Sequence, residues 1–372
     1  MFHLKHGMSD VILRNPITAV WNNGLLSIAA AAFAFSVSSS LVRPISPDIS
    51  VIELVFVRSF LSLGLSFLAN ADGRGRSSMT SDGAPPPLFG RRENWPLLLL
   101  RGMSGALAMN VFYASIQRLL LAEALALLFL NPAIVAVLAF AVLDERVVMK
   151  QIGGIAASLG GMLLVVRPPL QNDEAWTRSR TFGVGFGVMS AFLAAIAYIS
   201  IRKIGKAESS LTIAVYFHAT ALVTSVVGLL GGIGGATVVV PSLNPDFLCM
   251  VGIAVASFCA QLLISRGFQL SRAAVAAAVN YLQVIFGAVW GYVFFGESIS
   301  VVSVLGILLI FGGVLLISAG KTTDNGGDDR EELLLLPTQS AVRVERQQPP
   351  PKMAQRLTDR VSELGINVKH ST

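Results

Sequence analysis

The chain has 372 residues, 53% of them apolar and only 13% charged, with a mean hydropathy of +0.68. A soluble protein of this length would have to bury nearly every helix on all sides, so the composition excludes that class. The net charge of +6 would suggest nucleic acid in a soluble protein, but here the basic residues fall in short loops and the tail, as membrane orientation requires.

In chain order the apolar runs predict ten membrane-spanning helices, at 24–42, 49–69, 95–117, 121–143, 149–166, 183–201, 211–231, 246–265, 273–295 and 300–319. Residues 1–23 are interrupted by Lys5, Asp10 and Arg14, carry no signal-peptide core, and read as a cytoplasmic segment. The second span holds Arg58 near its middle, with Glu53 five residues earlier. A mid-membrane Arg costs about 2.5–3.5 kcal/mol, so something must compensate it. An anion contact and an ion-pair gate with Glu53 are the functional readings; a structural pair or a snorkelling side chain are the bland ones. The loop 70–94, rich in Gly, Ser, Pro and Arg, reads as a flexible connection.

On the third span Asn110, Tyr113 and Gln117 share one face, and Arg101 near the span's end reads as an interface anchor. The fourth span opens on Glu123, which either complements the helix dipole or couples protons. It carries Asn131-Pro132 in mid-run and closes on Glu145. A proline there removes a backbone donor, which lipid tolerates only where neighbours or a cavity take up the freed carbonyl. Residues 169–182, opening on Pro169, link the two halves, and Tyr198 on the sixth span is a weaker polar candidate. His218 falls on the seventh span, expected at the periphery in a hydrogen-bonded structural role. Gln261, Ser265 and Gln269 form the eighth span's polar stripe, and Cys249 and Cys259 on that span lie about 15 Å apart, too far for a disulfide. The ninth span brings Asn280, Tyr281 and Gln283, and is followed by Glu297. Cavity lining and interhelical hydrogen bonding compete as readings of these stripes. Gly183/Gly187 and Gly287/Gly291 are spaced for close helix packing.

After Gly320 the chain turns polar and reads as a largely disordered tail. It contains an acidic dileucine pattern around Glu331–Leu334 and an amphipathic stretch from Met353 to Leu364.

The two halves repeat. A shift of 152 superposes Gln117 on Gln269, Glu145 on Glu297, Gly154 on Gly306 and Gly161 on Gly313, while a shift of 159 superposes Gly24 on Gly183 and Arg43 on Arg202. Five spans per copy is an odd number, so the second copy enters the membrane upside down. Lys and Arg concentrate in alternate connections, at Arg74–Arg92, Arg146–Lys150, Arg202–Lys206 and Arg266–Arg272, and the bias places both termini in the cytoplasm. No His, Cys or carboxylate cluster has metal spacing, and no P-loop, nucleotide fingerprint or nucleophile elbow is present. No metal, cofactor or enzymatic activity is expected.

The run Arg101-Gly102…Tyr113-Ala114…Leu121-Ala122-Glu123-Ala124…Asn131-Pro132…Glu145, followed by a glycine-bearing span ending Val165-Val166-Arg167-Pro168, resembles the EamA-type drug/metabolite transporter superfamily. The resemblance covers roughly residues 24–319. It implies a ten-helix carrier of small organic solutes working by alternating access, as an exchanger or a proton- or ion-linked permease. It also implies a central cavity lined by the first, third and fourth spans and by the sixth, eighth and ninth. Glu145 and Glu297 match the family's recurring carboxylate at the end of the fourth and ninth spans, where a capping role is expected rather than substrate contact. In one departure Gln283-Val284 stand where the shift of 152 places Asn131-Pro132, so the ninth span lacks the proline.

The expected protein is all-α and integral to the membrane, with ten transmembrane helices as two inverted five-helix repeats at 24–168 and 183–319. Its expected function is secondary transport of a small organic metabolite through a cavity lined by Arg58, Asn110, Tyr113, Gln117, Asn131, Pro132, Gln261, Gln269, Asn280, Tyr281 and Gln283, with Glu53 and Glu123 as coupling or gating candidates. A proton or counter-substrate is the expected coupling partner, and a homodimer is admissible. Plasma membrane and endomembrane stay open, as does a non-transporting scaffold acting through its tail.

Overall fold

The computed structural model describes residues 16–42, 44–45, 49–71, 89–119, 121–145, 148–166, 178–232, 245–296 and 300–321. Among them every regular element is helical. Leu, Ala, Val and Gly runs leave the backbone to satisfy itself, and in lipid that means helices. The elements are α1 (Pro16–Asn22), α2 (Gly24–Val42), α3 (Val51–Ala71), α4 (Trp95–Ile116), α5 (Leu121–Leu128), α6 (Asn131–Leu143) and α7 (Met149–Val166). They continue with α8 (Arg178–Ile204), α9 (Ser210–Leu230), α10 (Pro245–Leu270), α11 (Ala273–Val279), α12 (Leu282–Phe295) and α13 (Val301–Lys321). Seven stretches are long and apolar enough to cross a bilayer: α2, α3, α4, α8, α9, α10 and α11 with α12; α6, α7 and α13 are shorter apolar helices. The helices through Ser318 form one compact unit; of the second, Ala319–Thr372, only the end of α13 is described. The dileucine pattern and the amphipathic tail stretch therefore lie outside the described residues.

Large apolar side chains face outward as well as into the core, and small polar residues share the helix contacts. On α3, beyond its first turn of Glu53, Leu54 and Val55, the buried residues are Ser59, Ser62 and Ser66, while Phe60, Phe67 and Leu68 are exposed. Lipid is as apolar as any leucine core, so burying large side chains gains little, and small residues let the helices close on each other. α2 packs on α10 and α4 on α8, with Ser38 and Ser257 hydroxyls 2.9 Å apart in the first pair and Ser115 donating to the Gly183 carbonyl at 2.8 Å in the second. Of the two expected glycine pairs, both members of Gly183/Gly187 are pressed against neighbours, whereas in the second pair Gly291 is buried but an added Cβ on Gly287 would meet nothing within 4 Å.

Two helical runs are discontinuous. α5 and α6 are separated at Phe129–Leu130, and α11 and α12 at Asn280–Tyr281. Pro132 explains the first break, since it lacks the N–H that would reach back to Leu128. The Ala133 amide bonds the Leu130 carbonyl at 3.1 Å, one residue tighter than an α-helix. The second break forms without a proline. There Tyr281 N–H donates to Ala278 O at 3.1 Å and Gln283 N–H to Asn280 O at 3.0 Å, the same tightened pattern. Tyr281, fully buried, sends its hydroxyl across to the Phe129 carbonyl at 2.8 Å. The two breaks are thus tied to each other.

α7 and α13 meet through glycines. A Cβ added to Gly161 would lie 2.5 Å from the Gly306 carbonyl, whereas one on Gly160 would meet only Leu309 Cδ2 at 3.7 Å. Gly161→Ala should therefore cost about 1–3 kcal/mol by overpacking, while Gly160→Ala should be neutral or stabilise by up to about 1 kcal/mol through helix propensity. Thermal unfolding of the two purified variants measures the contrast.

Candidate functional site

A cavity of about 260 Å³ lies where the two helix breaks meet α2, α3, α4, α8, α9 and α10. Its polar wall consists of Ser39, Arg58, Arg101, Asn131, Tyr198, Gln261, Asn280 and Gln283; Phe35, Met109, Phe112, Phe129 and Phe217 supply much of the apolar remainder. Clefts of about 500 and 390 Å³ also occur, beside α4 and α9 and beside α3, α9 and α10, but their walls are almost wholly apolar. Such surfaces suit acyl chains, whereas a recognition site needs a few placed polar groups. The smaller cavity is the one with chemistry.

Of the sequence candidates, Arg58, Asn131, Gln261, Asn280 and Gln283 come together here. Arg58 is not paired with Glu53. Five residues along a helix turn the side chain about 140° away, and its guanidinium instead donates to Met109 Sδ at 2.7 Å, leaving Nε without a partner. Glu53 itself is buried at the start of α3. Asn131 and Asn280, each buried, stand at the two breaks with Oδ1 unpartnered.

Arg101 corrects the sequence reading. It is no snorkelling anchor: it is 2% exposed, donates to Gln261 Oε1 at 2.9 Å, and lies 5.0 Å from the Phe217 ring centroid. The signal was in its neighbours. Gly102 and Gly105 follow, and Cβ atoms there would press on Tyr216 O and the Phe217 ring, so α9 approaches closely and closes over the arginine. Tyr198, a weaker sequence candidate, lines the cavity and stacks on Phe268 with ring centroids 4.5 Å apart.

The remaining candidates lie elsewhere. Asn110 and Tyr113 are half-buried on α4 and do not line the cavity, and Gln117 is exposed just past the helix end. Pro132 is buried in the first turn of α6. Gln269 is a staple: its Nε2 donates to Glu208 O and its Oε1 accepts from Ser210, at 2.8 and 2.9 Å. Tyr281 serves the Phe129 carbonyl. His218 is fully buried rather than peripheral, with neither ring nitrogen hydrogen-bonded, and within electrostatic reach of Arg58 and Arg101. The side chains of Glu123 and Glu297 lie outside the described residues.

Glu145 sits away from the cavity, at one end of the bundle. One carboxylate oxygen accepts from Arg202 Nε at 2.5 Å, and the other accepts the Ala273 N–H at 2.8 Å, capping α11. Arg202 also donates to Gln269 O at 3.2 Å. One carboxylate therefore fastens α6, α8, α10 and α11 together, with the helix N-terminus and the guanidinium both favouring its charge. Among the described residues no His, Cys, Asp and Glu side chains gather as metal ligands.

A polytopic helical bundle with broken helices around a small polar cavity is the build of a solute-transporting membrane protein rather than an enzyme. The chain belongs to the EamA-like transporter family, whose model matches residues 22–167 and 181–319. It is similar to the pseudopaline exporter CntI of Pseudomonas aeruginosa, 27% identical over 77% of this chain and 93% of the exporter. It is also similar to human solute carrier family 35 member G1, 24% identical over 74% of this chain and 73% of the carrier. A solved crystal structure shares the fold with a TM-score of 0.61 at 15% identity, over 79% of this chain and 94% of that one.

Glu145→Ala should destabilise the chain by about 1–3 kcal/mol, between the limits for exposed and buried ion pairs, and Glu145→Gln by less, since an amide oxygen still accepts from Ala273. Thermal unfolding in detergent tests the order of the three proteins.

Proposed function

We propose that the protein is a secondary carrier that moves a small organic solute by alternating access, as an exchanger or a proton-linked permease. The observation that carries this reading is the cavity: guanidinium and carboxamide groups from both halves of the chain converge where two discontinuous helices break. Unwound backbone is tolerated at membrane depth only where it is buried in protein or lines a cavity, and carriers place their sites at such breaks. The printed names of the relatives, an exporter and a solute carrier, agree with solute movement.

The scaffold of this reading is ten spans, with α5 and α6 together forming the fourth and α11 and α12 the ninth, arranged as inverted repeats at 24–168 and 183–319 joined by 169–182. Packing supports it. Gly154 faces Gly313 as Gly161 faces Gly306, and the shift of 152 turns one contact into the other. Gly24 lies against Leu270 and Ser271 as Gly183 lies against Arg118 and Leu119, matching positions under the shifts of 159 and 152. Phe129 and Tyr281, which touch, are themselves 152 apart, as a pair on the pseudo-two-fold axis would be. The charge bias then puts residues 1–23 and the tail 320–372 in the cytoplasm.

Reconstituted protein should take up solute from a broad metabolite screen with a pH gradient or a trans counter-substrate, and deletion of residues 321–372 should preserve uptake. A chain that moves nothing under either condition, or that loses its activity with the tail, is a scaffold and not a carrier. Accessibility tags next to Glu145 and Glu297 should report opposite sides of the membrane; the same side would end the inverted-repeat reading.

A further inference from the structure

The wall of the cavity carries two guanidinium groups, Arg58 and Arg101, and among the described residues no carboxylate. Among the described residues neither arginine has a carboxylate partner: Arg58 donates to Met109 Sδ, and Arg101 donates to Gln261 Oε1 and lies over the face of Phe217. Each leaves its Nε buried and unpartnered, and the whole Arg101 side chain is buried. A structural arginine in a membrane is paired with a carboxylate or with backbone carbonyls; among the described residues these two have neither. The helix ends at the breaks do not settle the sign of the site. The N-termini of α6 and α12 point positive charge toward it, and the C-terminal carbonyls of α5 and α11 oppose them. The guanidinium groups therefore decide.

We infer that the solute of this carrier is a small organic anion, its carboxylate or phosphate held by Arg58 and Arg101 and its hydroxyl or amino groups by Asn131 and Asn280. The inference rests on the carrier reading above and names the substrate class of that same cavity. Guanidinium forks match planar carboxylates and phosphates by paired N–H donors, which an ammonium or a neutral amide partner would not. Asn131 and Asn280, 4% and 6% exposed, each keep a carboxamide oxygen without a protein donor, and a hydroxyl or amino group on the solute supplies one. A volume near 260 Å³ falls just under the range of about 300–1,000 Å³ usual for drug-sized ligands, so the anion is a compact one. Gln261 acts as a positioning residue, holding the Arg101 fork in one plane.

The test uses the full-length wild-type chain in detergent and in proteoliposomes, with lactate, malate and glucose 6-phosphate set against malamide, glucose and putrescine. The anions should raise the unfolding temperature at millimolar concentration and drive counterflow, and the neutral and cationic probes should do neither. Malate without glucose 6-phosphate assigns the carboxylate, glucose 6-phosphate alone assigns a phosphate ester, and both together mean that the fork accepts either. Arg58→Gln should weaken the anion response at least about tenfold while the unliganded chain unfolds near the wild-type temperature; Arg58→Lys should restore part of it. Protection by malamide, glucose or putrescine without the anions overturns the anion assignment and leaves the carrier reading standing. Protection by none of the six also overturns it, and the broad screen then judges the carrier reading by itself. Wild-type response in Arg58→Gln overturns the assignment of the arginine.

Discussion

In hydrocarbon a backbone carbonyl without a donor costs several kcal/mol, and the two helix breaks concentrate that cost in one place. The bond from the Tyr281 hydroxyl to the Phe129 carbonyl is what makes the arrangement stable. It serves a carbonyl released at one break with a side chain standing at the other, so the first break is satisfied only when the second is in register with it. From that register follows the rest of the cavity. Asn131 and Asn280 are presented where the helices stop, Gln283 a turn beyond, and α4 and α10 bring Arg101 and Gln261 opposite them.

A guanidinium inside lipid is tolerated on two conditions: the surrounding helix must be apolar enough to insert, and the charge must face something polar. α3 meets the first with its exposed Phe60, Phe67 and Leu68. The second is met only in part by Met109, a weak acceptor. Arg101 is better held, by a carboxamide on one side and an aromatic face on the other. Both arrangements orient the fork without neutralising it. A carboxylate in the same place would have made a tighter protein and a closed site.

How much of this was legible in the sequence differs from residue to residue. The apolar runs and the Asn131-Pro132 break could be read directly, because length and a missing N–H act locally. The break at Asn280–Tyr281 carries no proline, and its Tyr281 hydroxyl meets a carbonyl about 150 positions away, which no local pattern encodes. Arg101 was misplaced because its distance along the span suggested the interface; the glycines that bring α9 over it were visible, but their partner was not. The stripe of Asn110, Tyr113 and Gln117 keeps its helical spacing, since the Gln117 N–H still bonds the Tyr113 carbonyl, but spacing does not say which way a face turns, and none of the three lines the cavity. Gln269 shares a helix with Gln261 yet is spent on Ser210 and Glu208, beyond reach of any spacing rule.

The repeat itself is unevenly kept, and the unevenness has a physical reading. Where backbones touch, the halves correspond: Gly154 with Gly306, Gly161 with Gly313, Gly24 with Gly183. Where the cavity has charge, they do not. The shifts set Arg58 against Phe217, Arg101 against Ile253 and Met109 against Gln261. Close backbone packing between the halves needs small residues on both sides, because each glycine makes room for its partner's carbonyl. A bound solute has no such symmetry and is recognised by whichever groups meet its polar atoms. The contacts that hold the bundle are thus free to remain paired while the lining diverges, and here the divergence has placed both guanidinium groups in the first half and set a carboxamide and an aromatic ring from the second half against one of them.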